Sequence, residues 1–318
     1  MFLGTVAACA QATDPRIAKE LAAAKHDFQE DNYDSAADHY KKANKLQQGA
    51  CFDCYIGLIK IGLANDDEKE ALKQAEHALQ VAGSDQQRAT VHSLRGLVFF
   101  QMASHKKEKL SDAEAAYHAA LLADAACAIC KYNLARVLLR ESKQEEAVEV
   151  LKSALSQFQG KPLELTIQRL IREPERGKKN FAPEFSAKLK NGEEISLEKL
   201  QGKVVLLDFW GTWCGPCRAS LPGIKKLAAK MDPNKFVLVS IDEGDSEDDW
   251  SAFIAKNAMA WPQIYDEGSA IEDAFGVNSY PSYLVLDRDG IVKAKLTGWA
   301  PNREDDVKAQ IESAIKAK

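Results

Sequence analysis

Residues 204–217 read Val-Val-Leu-Leu-Asp-Phe-Trp-Gly-Thr-Trp-Cys-Gly-Pro-Cys, and this stretch decides the fold of the second half of the chain. Its first part, 204–210, is almost entirely apolar, as expected of a central strand that is buried on both faces. The Cys-Gly-Pro-Cys at its end predicts the start of a helix, because proline is tolerated in a first turn, where N–H groups have no partner within the helix. The sequence therefore predicts a strand-to-helix turn that carries two cysteines.

The spacing of Cys214 and Cys217 is suited to thiol–disulfide exchange. Cys214 is expected at the helix N-terminus, where free N–H groups and the helix dipole stabilise a thiolate. Cys217 follows one turn later and can attack a mixed disulfide on Cys214. Pro281 stands just before another predicted strand and suits a cis turn that faces the two cysteines. Four residues are expected to form the rim of this site: Trp213, Gly215, Pro216 and Tyr280.

Strands and helices alternate on both sides of this turn. The sequence predicts a helix over 215–231, a buried strand over 236–241, a helix over 247–256, a hairpin over 282–296 and a closing helix over 303–317. The hairpin is predicted from Asp289-Gly290, a strong turn signal between two apolar runs. This order predicts an α/β sandwich with a mixed sheet.

The segment 180–318 resembles the thioredoxin superfamily, and most closely its TlpA/ResA-like thiol-disulfide oxidoreductases. The stretches that carry the resemblance are 182–185, 202–214, 275–277 and 284–287. The resemblance implies a thioredoxin fold in which Cys214 is the nucleophile, Cys217 the resolving thiol and Pro281 the cis-proline. It also implies an enzyme without a bound cofactor or metal, acting on disulfide-containing protein substrates.

Two positions depart from the pattern of the TlpA/ResA-like group. That group often has Glu three residues after the second Cys, where this chain has Ser220. Asp208 instead matches the buried acid of thioredoxin itself, and Leu238 is expected at the position of that acid's lysine partner. We expect burial to raise the pKa of Asp208, so that it takes the proton from Cys217 when this thiol attacks.

Residues 13–160 are predicted to form an all-α domain of helical repeats. Small residues recur at i, i+4 and i+7 in sets that begin at Ala36, Ala71, Ala113 and Ala147. A small residue at each crossing lets two helices pack closely, as in stacked repeats. The segment resembles tetratricopeptide repeats (TPR), although their consensus Trp and terminal Pro are missing, and an unrelated helical bundle is the alternative. The resemblance implies a protein partner on the repeat surface.

Two further C-x-x-C pairs lie in this half of the chain, Cys51/Cys54 and Cys127/Cys130. Each pair is expected to open a helix, where Cα atoms three residues apart lie roughly 5–6 Å from each other, within disulfide range. We predict a local structural disulfide in each pair. Free buried thiols and a shared zinc site are the alternatives, but the zinc site would need repeats that are not neighbours to touch.

Residues 1–12 resemble the end of a secretory signal peptide. The segment 10–12, Ala-Gln-Ala, fits a cleavage site, whereas 6–9 resembles a bacterial lipobox in which Cys9 would carry a lipid. Cysteine pairs at disulfide spacing suit an oxidising compartment. We therefore predict export to the periplasm, either in soluble form or anchored by a lipid on Cys9; an ordinary apolar N-terminus is the alternative.

Residues 161–179 are predicted to be a linker, with a possible helix over 163–172 and an exposed connector over 172–179. The formal net charge of the whole chain is −5, and the linker is its only basic stretch. Nucleic acid is therefore not an expected partner, because its phosphates require a basic binding surface.

The Gly-Pro between Cys214 and Cys217 resembles thioredoxin, a reductant at about −270 mV, rather than oxidants near about −120 mV. We therefore expect the chain to reduce protein disulfides. The resemblance assigns the supply of electrons to a membrane-bound thiol donor. A thiol oxidant or isomerase, and a binding protein in which the repeats are the functional part, are the alternatives.

Overall fold

The computed structural model describes residues 14–30, 32–161, 163–298, 300 and 302–317. The predicted signal segment and Cys9 lie outside these residues. Among the helices described, none has both the length and the apolar character that a membrane span requires. The chain divides into two compact units, residues 1–125 and 126–318.

The described part of the first unit is built from α-helices that pack in consecutive pairs, α1 on α2, α3 on α4 and α5 on α6. The bounds are α1 Pro15–Gln29, α2 Tyr33–Leu46, α3 Phe52–Ala64, α4 Glu68–Val81, α5 Asp85–Met102 and α6 Lys109–Ala123. Small residues permit these close crossings: Ala36, Ala71 and Ala113 are fully buried, and a Cβ on Gly57 would lie 2.3 Å from the ring of Tyr40. The helical character predicted for this region is confirmed, and the tetratricopeptide assignment stays a prediction.

The second unit begins with three more helices and continues into an α/β fold. The helices are α7 Ala128–Arg140, α8 Gln144–Leu155, α9 Glu164–Arg172, α10 Gly215–Lys230, α11 Glu247–Lys256, α12 Ala270–Phe275 and α13 Arg303–Lys316. The strands are β1 Ser186–Lys188, β2 Glu194–Ser196, β3 Val204–Trp210, β4 Phe236–Asp242, β5 Gln263–Tyr265, β6 Ser282–Leu286 and β7 Val292–Thr297. Short 3₁₀ turns cover Ser156–Phe158, Pro174–Lys178 and Glu198–Leu200.

The main sheet has the strand order β5-β4-β3-β6-β7, with β3 parallel to β4 and antiparallel to β6. Every residue of the central strand β3 is buried, because the alternate side chains of this strand enter two separate apolar cores. One core lies on the side of α12, and the other lies under α10 and α13. The predicted mixed sheet with a doubly buried central strand is confirmed; β5 and α12 were not predicted.

The segment 172–179 is only in part the exposed connector that the sequence predicted, because its ends are exposed but its middle is not. Arg176 is only 8% exposed, its guanidinium stacks 4.0 Å from the ring centroid of Phe181, and it donates a hydrogen bond to the carbonyl of Asp289. A Cβ on Gly177 would lie 2.3 Å from the side chain of Leu139, so the 3₁₀ turn also packs tightly on α7. The prediction is wrong for Arg176, because tertiary partners bury a charge that its local sequence places in solvent.

A buried ion pair ties α9 to the start of the α/β fold. The Arg169 Nη1 donates to Glu184 Oε1 at 2.9 Å, and both side chains are almost fully buried. The backbone N–H of Glu184 donates to Thr166 Oγ1 at 2.8 Å. Burial raises the pKa of Glu184, and the two arginines Arg169 and Arg176 oppose this effect. These contacts fix α9 against the segment around Glu184, which leads into β1.

We expect Arg169→Met to lower the free energy of unfolding by about 3–5 kcal/mol, because it leaves the Glu184 carboxyl buried without its closest partner. Arg172→Met is the matched control, since Arg172 belongs to the same helix and pairs at 3.6 Å with Glu198 on the surface. The control should cost less than about 1 kcal/mol. Urea denaturation measures both values, and equal losses in the two variants would contradict the prediction.

Candidate active site

Cys214 caps the N-terminus of α10 at the point where β3 has ended. Its Sγ accepts a hydrogen bond from the backbone N–H of Cys217 at 3.1 Å, and the two cysteines form a disulfide. Gly215 and Pro216 occupy the first turn of α10 and are exposed. The strand-to-helix turn predicted from the sequence is thus present, with a helix N-terminus aimed at the sulfur of Cys214.

Trp213 is the most exposed aromatic residue of the site, with 53% of its surface accessible. Its Nε1 donates to the carbonyl of Glu243 at 3.0 Å. The indole lies against Gly211 and Gly244; a Cβ on Gly211 would approach Nε1 to 2.5 Å. Asp245 accepts a hydrogen bond from the backbone N–H of Thr212 at 2.6 Å. The loop before the dithiol is therefore fixed, and it presents a flat apolar side chain to solvent.

Tyr280 forms the other side of the rim and precedes Pro281 in a cis peptide bond. Its ring meets that of Trp213 edge to face, with 5.2 Å between centroids. The Tyr280 hydroxyl lies 3.4 Å from Glu243 Oε2. Burial raises the pKa of this hydroxyl, and the nearby acid Glu272 raises it further. Tyr280 therefore stays neutral, and its hydroxyl can form hydrogen bonds beside the two cysteines.

Asp208 lies in the middle of the sheet, below the disulfide, and lines the same small cavity as Cys217. Its Oδ2 accepts a hydrogen bond from the Ser240 hydroxyl at 2.8 Å. Burial raises the pKa of Asp208 to about 7, and the Ser240 hydrogen bond partly opposes that rise. This carboxyl group can therefore gain or lose a proton near neutral pH.

The prediction that Leu238 lies beside Asp208 was wrong. Leu238 pairs in register with Leu206, whereas Ser240 is the residue directly opposite Asp208 on β4. The Ser240 oxygen also accepts a hydrogen bond from Trp261 Nε1 at 2.9 Å. Ser240 and Trp261 were missed because the register of β3 and β4 is a long-range property. The one signal that could have indicated Ser240 is its place as a polar residue inside the otherwise apolar run 236–241.

A second buried hydrogen-bond chain reaches Cys217 from Tyr283, the residue opposite Asp208 on β6. The Tyr283 hydroxyl donates to Ser220 Oγ at 2.8 Å, and the Ser220 hydroxyl donates to the carbonyl of Cys217 at 2.9 Å. Burial raises the pKa of Tyr283, and the charge of Asp208 raises it further. Ser220 therefore satisfies backbone and phenol groups without contributing a charge of its own.

The other predicted cysteine pairs, Cys51–Cys54 and Cys127–Cys130, also form local disulfides in the structure. They open α3 and α7, as their positions in the repeat pattern indicated. They lie outside the cluster formed by Cys214, Cys217, Asp208, Tyr280 and Pro281.

Comparison with known proteins places this site in a family. Residues 179–295 match the model of the AhpC/TSA family. The thiol-disulfide oxidoreductase ResA of Bacillus anthracis is 30% identical over 135 residues, which cover 42% of this chain and 75% of ResA. The thioredoxin-like protein YneN of Bacillus subtilis is 34% identical over 134 residues, which cover 41% of this chain and 78% of YneN.

Among solved structures, the thioredoxin domain of a thiol-disulfide oxidoreductase from Bacteroides vulgatus is 25% identical, with a TM-score of 0.38. That match covers 43% of this chain and 96% of the solved domain. The sequence relatives and the disulfide at the sheet-to-helix turn identify a thioredoxin-like thiol–disulfide oxidoreductase. Through its C-terminal part, the chain belongs to the family of ResA-like thiol-disulfide oxidoreductases.

We expect Asp208→Asn to stabilise the oxidised protein above neutral pH and to have little effect near pH 4. The carboxyl has a pKa near 3.8 in the unfolded chain and about 7 in the folded one. Between these pH values it is ionised when unfolded but protonated when folded, so its ionisation favours the unfolded state. Above pH 7 the wild type carries the full penalty, about 3–5 kcal/mol at 1.36 kcal/mol per pKa unit, of which Asn should recover about half or more. Urea denaturation at pH 4, 6 and 8 measures the difference.

Asp248→Asn is the control, because Asp248 is an exposed carboxylate in the first turn of α11. Its loss should slightly destabilise the helix by removing a favourable helix-dipole contact. A pH-independent effect of Asp208→Asn would show that the buried carboxyl does not titrate in this range.

Proposed function

We propose that the chain reduces disulfide bonds in substrate proteins, with Cys214 as the nucleophile and Cys217 as the resolving thiol. The observation that carries the proposal is the disulfide at the N-terminus of α10, beside the turn that contains Pro281. Trp213 and Tyr280 supply an aromatic rim on which a substrate segment can lie.

The first step requires a thiolate on Cys214. The N–H of Cys217 points at its sulfur, and the first turn of α10 contains no acidic residue that would oppose a negative charge. Both features lower the pKa of a reduced Cys214. Its thiolate attacks one sulfur of the substrate disulfide, a mixed disulfide forms, and the other substrate sulfur leaves as a thiolate.

The second step requires deprotonation of Cys217, which is buried and has no helix N-terminus of its own. Asp208 shares a cavity with this residue and has a pKa of about 7, so it is ionised in part of the molecules at neutral pH. We propose that Asp208 takes the Cys217 proton as this sulfur attacks Cys214. The second substrate sulfur then leaves, and two electrons have passed from the dithiol to the substrate.

Ser240 and Trp261 prepare Asp208 for this task. An indole N–H can only donate, so the Ser240 oxygen accepts from Trp261 and its single proton is free to point at Asp208. A donated hydrogen bond favours the ionised carboxylate. The pair therefore offsets part of the burial penalty and keeps the pKa of Asp208 within the working range of a base.

The reducing direction is inferred from the Gly215-Pro216 pair, which resembles thioredoxin rather than the strong oxidants. Reduction consumes the dithiol, so a further thiol must regenerate it. We propose a membrane-bound thiol donor for this role and a periplasmic location for the chain, with Cys9 as a lipid attachment site or part of a removed signal. A redox titration that finds a high, oxidising potential for the Cys214–Cys217 pair would instead indicate a thiol oxidant or isomerase.

We also propose that the helices of residues 13–160 recruit a protein partner to the dithiol. Paired helices with fully buried small residues form a stable surface of the kind that repeat proteins use for binding. Cys217→Ala in the full-length protein stalls the mixed disulfide on Cys214, so the attached partner can be identified by mass spectrometry.

We expect Cys214→Ser to abolish insulin-disulfide reduction with dithiothreitol as the electron source, because serine cannot form the mixed disulfide. Cys51→Ser/Cys54→Ser in the full-length protein is the control and should keep the wild-type rate. The turbidity assay for precipitated insulin chains gives both rates. Similar losses in the two variants would reject Cys214 as the nucleophile.

We expect Asp208→Asn to slow the resolving step near neutral pH by roughly tenfold or more, because the proton acceptor is lost. Ser240→Ala should keep the base but raise the pKa of Asp208, which moves the rise of the rate to higher pH. Stopped-flow tryptophan fluorescence between pH 5 and 9 follows the decay of the mixed disulfide. Wild-type rates in Asp208→Asn across pH 6–8 would remove Asp208 from the mechanism.

A further inference from the structure

Three helices of this protein begin with a disulfide, and their local geometry is nearly the same. Cys51, Cys127 and Cys214 each cap a helix, and each sulfur accepts a hydrogen bond from the N–H of the second cysteine, at 3.2, 3.3 and 3.1 Å. The Cα–Cα distance is 5.3 Å in all three pairs. Backbone geometry alone therefore does not distinguish the catalytic pair from the others.

The surroundings of the three pairs do differ. The Cys51–Cys54 pair is 2% and 0% exposed, and Asp53 stands between its cysteines in the first turn of α3. A negative charge at this place opposes a thiolate and repels an attacking one. This pair has the environment of an inert structural disulfide.

The Cys127–Cys130 pair shares its charge pattern with the catalytic pair instead. The first turn of α7, like that of α10, contains no acidic residue. A basic residue follows directly, Lys131 in α7 and Arg218 in α10. Cys127 is partly exposed, whereas Cys214 is only 4% exposed.

We propose that Cys127–Cys130 is a second thiol–disulfide exchange site, which takes up two electrons from a dithiol. The access to Cys127, the helix N-terminus behind it and the absence of an acid in the first turn carry this inference. The Cys51–Cys54 pair shares the helix N-terminus, but its cysteines are buried and Asp53 lies in its first turn, so it remains structural.

The exchange proceeds in two attacks. A thiolate of the donor attacks the Cys127 sulfur, the bond to Cys130 breaks, and Cys130 leaves as a thiolate that is then protonated. The second thiol of the donor attacks the mixed disulfide, and Cys127 leaves as a thiolate facing the N–H groups of α7. The donor becomes a disulfide, and the pair becomes a dithiol.

The contacts of α7 connect it to the end of the sheet that lies away from Cys214. Leu139 of α7 packs against Gly177, in the turn whose Arg176 binds the carbonyl of Asp289. Asp289 follows β6 at the end where Leu286 pairs with Val205, the start of β3. These contacts involve the end of α7 opposite to Cys127; the exchange that we propose is with external thiols and does not require Cys214 of the same chain.

The test uses the full-length, oxidised Cys214→Ser/Cys217→Ser variant, so that its result does not depend on the proposed activity of that dithiol. The native protein is treated at pH 7.5 with rising dithiothreitol, quenched with acid, alkylated and mapped by mass spectrometry. We expect Cys127–Cys130 to be reduced about tenfold faster, or more, than Cys51–Cys54, because access to a sulfur governs the exchange rate. Circular dichroism checks that the protein stays folded.

Equal rates for the two pairs, or reduction of Cys127–Cys130 only on unfolding, would overturn the proposal.

Two variants at Ile129, the position that corresponds to Asp53, test whether a charge in the first turn affects the exchange. Ile129 is 46% exposed, so Ile129→Asp can be made without disturbing a core. Ile129→Asp should slow the reduction of Cys127–Cys130 by about two- to fivefold relative to Ile129→Asn, from the usual size of a charge effect at a helix end. Identical rates in Asp and Asn variants would contradict activation by the helix N-terminus.

Discussion

Burial of the central strand β3 on both faces is the constraint on which the rest of the site depends. It fixes the end of the strand at Trp210, and four residues later Cys214 caps α10. The same burial surrounds Asp208 with apolar neighbours and raises the pKa of its carboxyl to about 7. One packing requirement thus positions the cysteines and also prepares a group that can exchange protons beside them.

Local backbone geometry and chemical environment contribute separately to the behaviour of a C-x-x-C pair. In all three pairs the first sulfur caps a helix, so the favourable helix dipole is common to all of them. What differs is the charge within the first turn and the residue that follows; access to solvent distinguishes Cys127 alone, since Cys51 and Cys214 are both buried. Asp53 at Cys51–Cys54, against Lys131 and Arg218 at the other two pairs, is a difference of one or two side chains. If Cys127–Cys130 exchanges as we propose, such small substitutions separate a structural disulfide from an exchangeable one.

The sequence predicted the parts of the fold and of the candidate site that depend on neighbouring residues. The apolar run of β3 and the Cys-Gly-Pro-Cys at its end are local signals, and both led to the observed turn. Ser240 was missed because its place beside Asp208 depends on the register between two strands that are 32 residues apart. Arg176 was taken for a solvated charge because its partners, Glu184 and Asp289, are distant in the chain. The short β5 and α12 were missed because three and six residues carry little periodicity.

The ion pair between Arg169 and Glu184 also affects where the chain can be divided. Helices α7 to α9 pack on the same body as the sheet, and their charged and apolar contacts cross the position at which the thioredoxin-like sequence begins. A fragment cut at residue 180 would leave Glu184 buried without its cation, and would remove Arg176 from the ring of Phe181 and the carbonyl of Asp289. Helices α7 to α9 and the α/β fold would therefore fold and be degraded as one piece, and a fragment or fusion boundary near residue 126 would be tolerated better than one at residue 180.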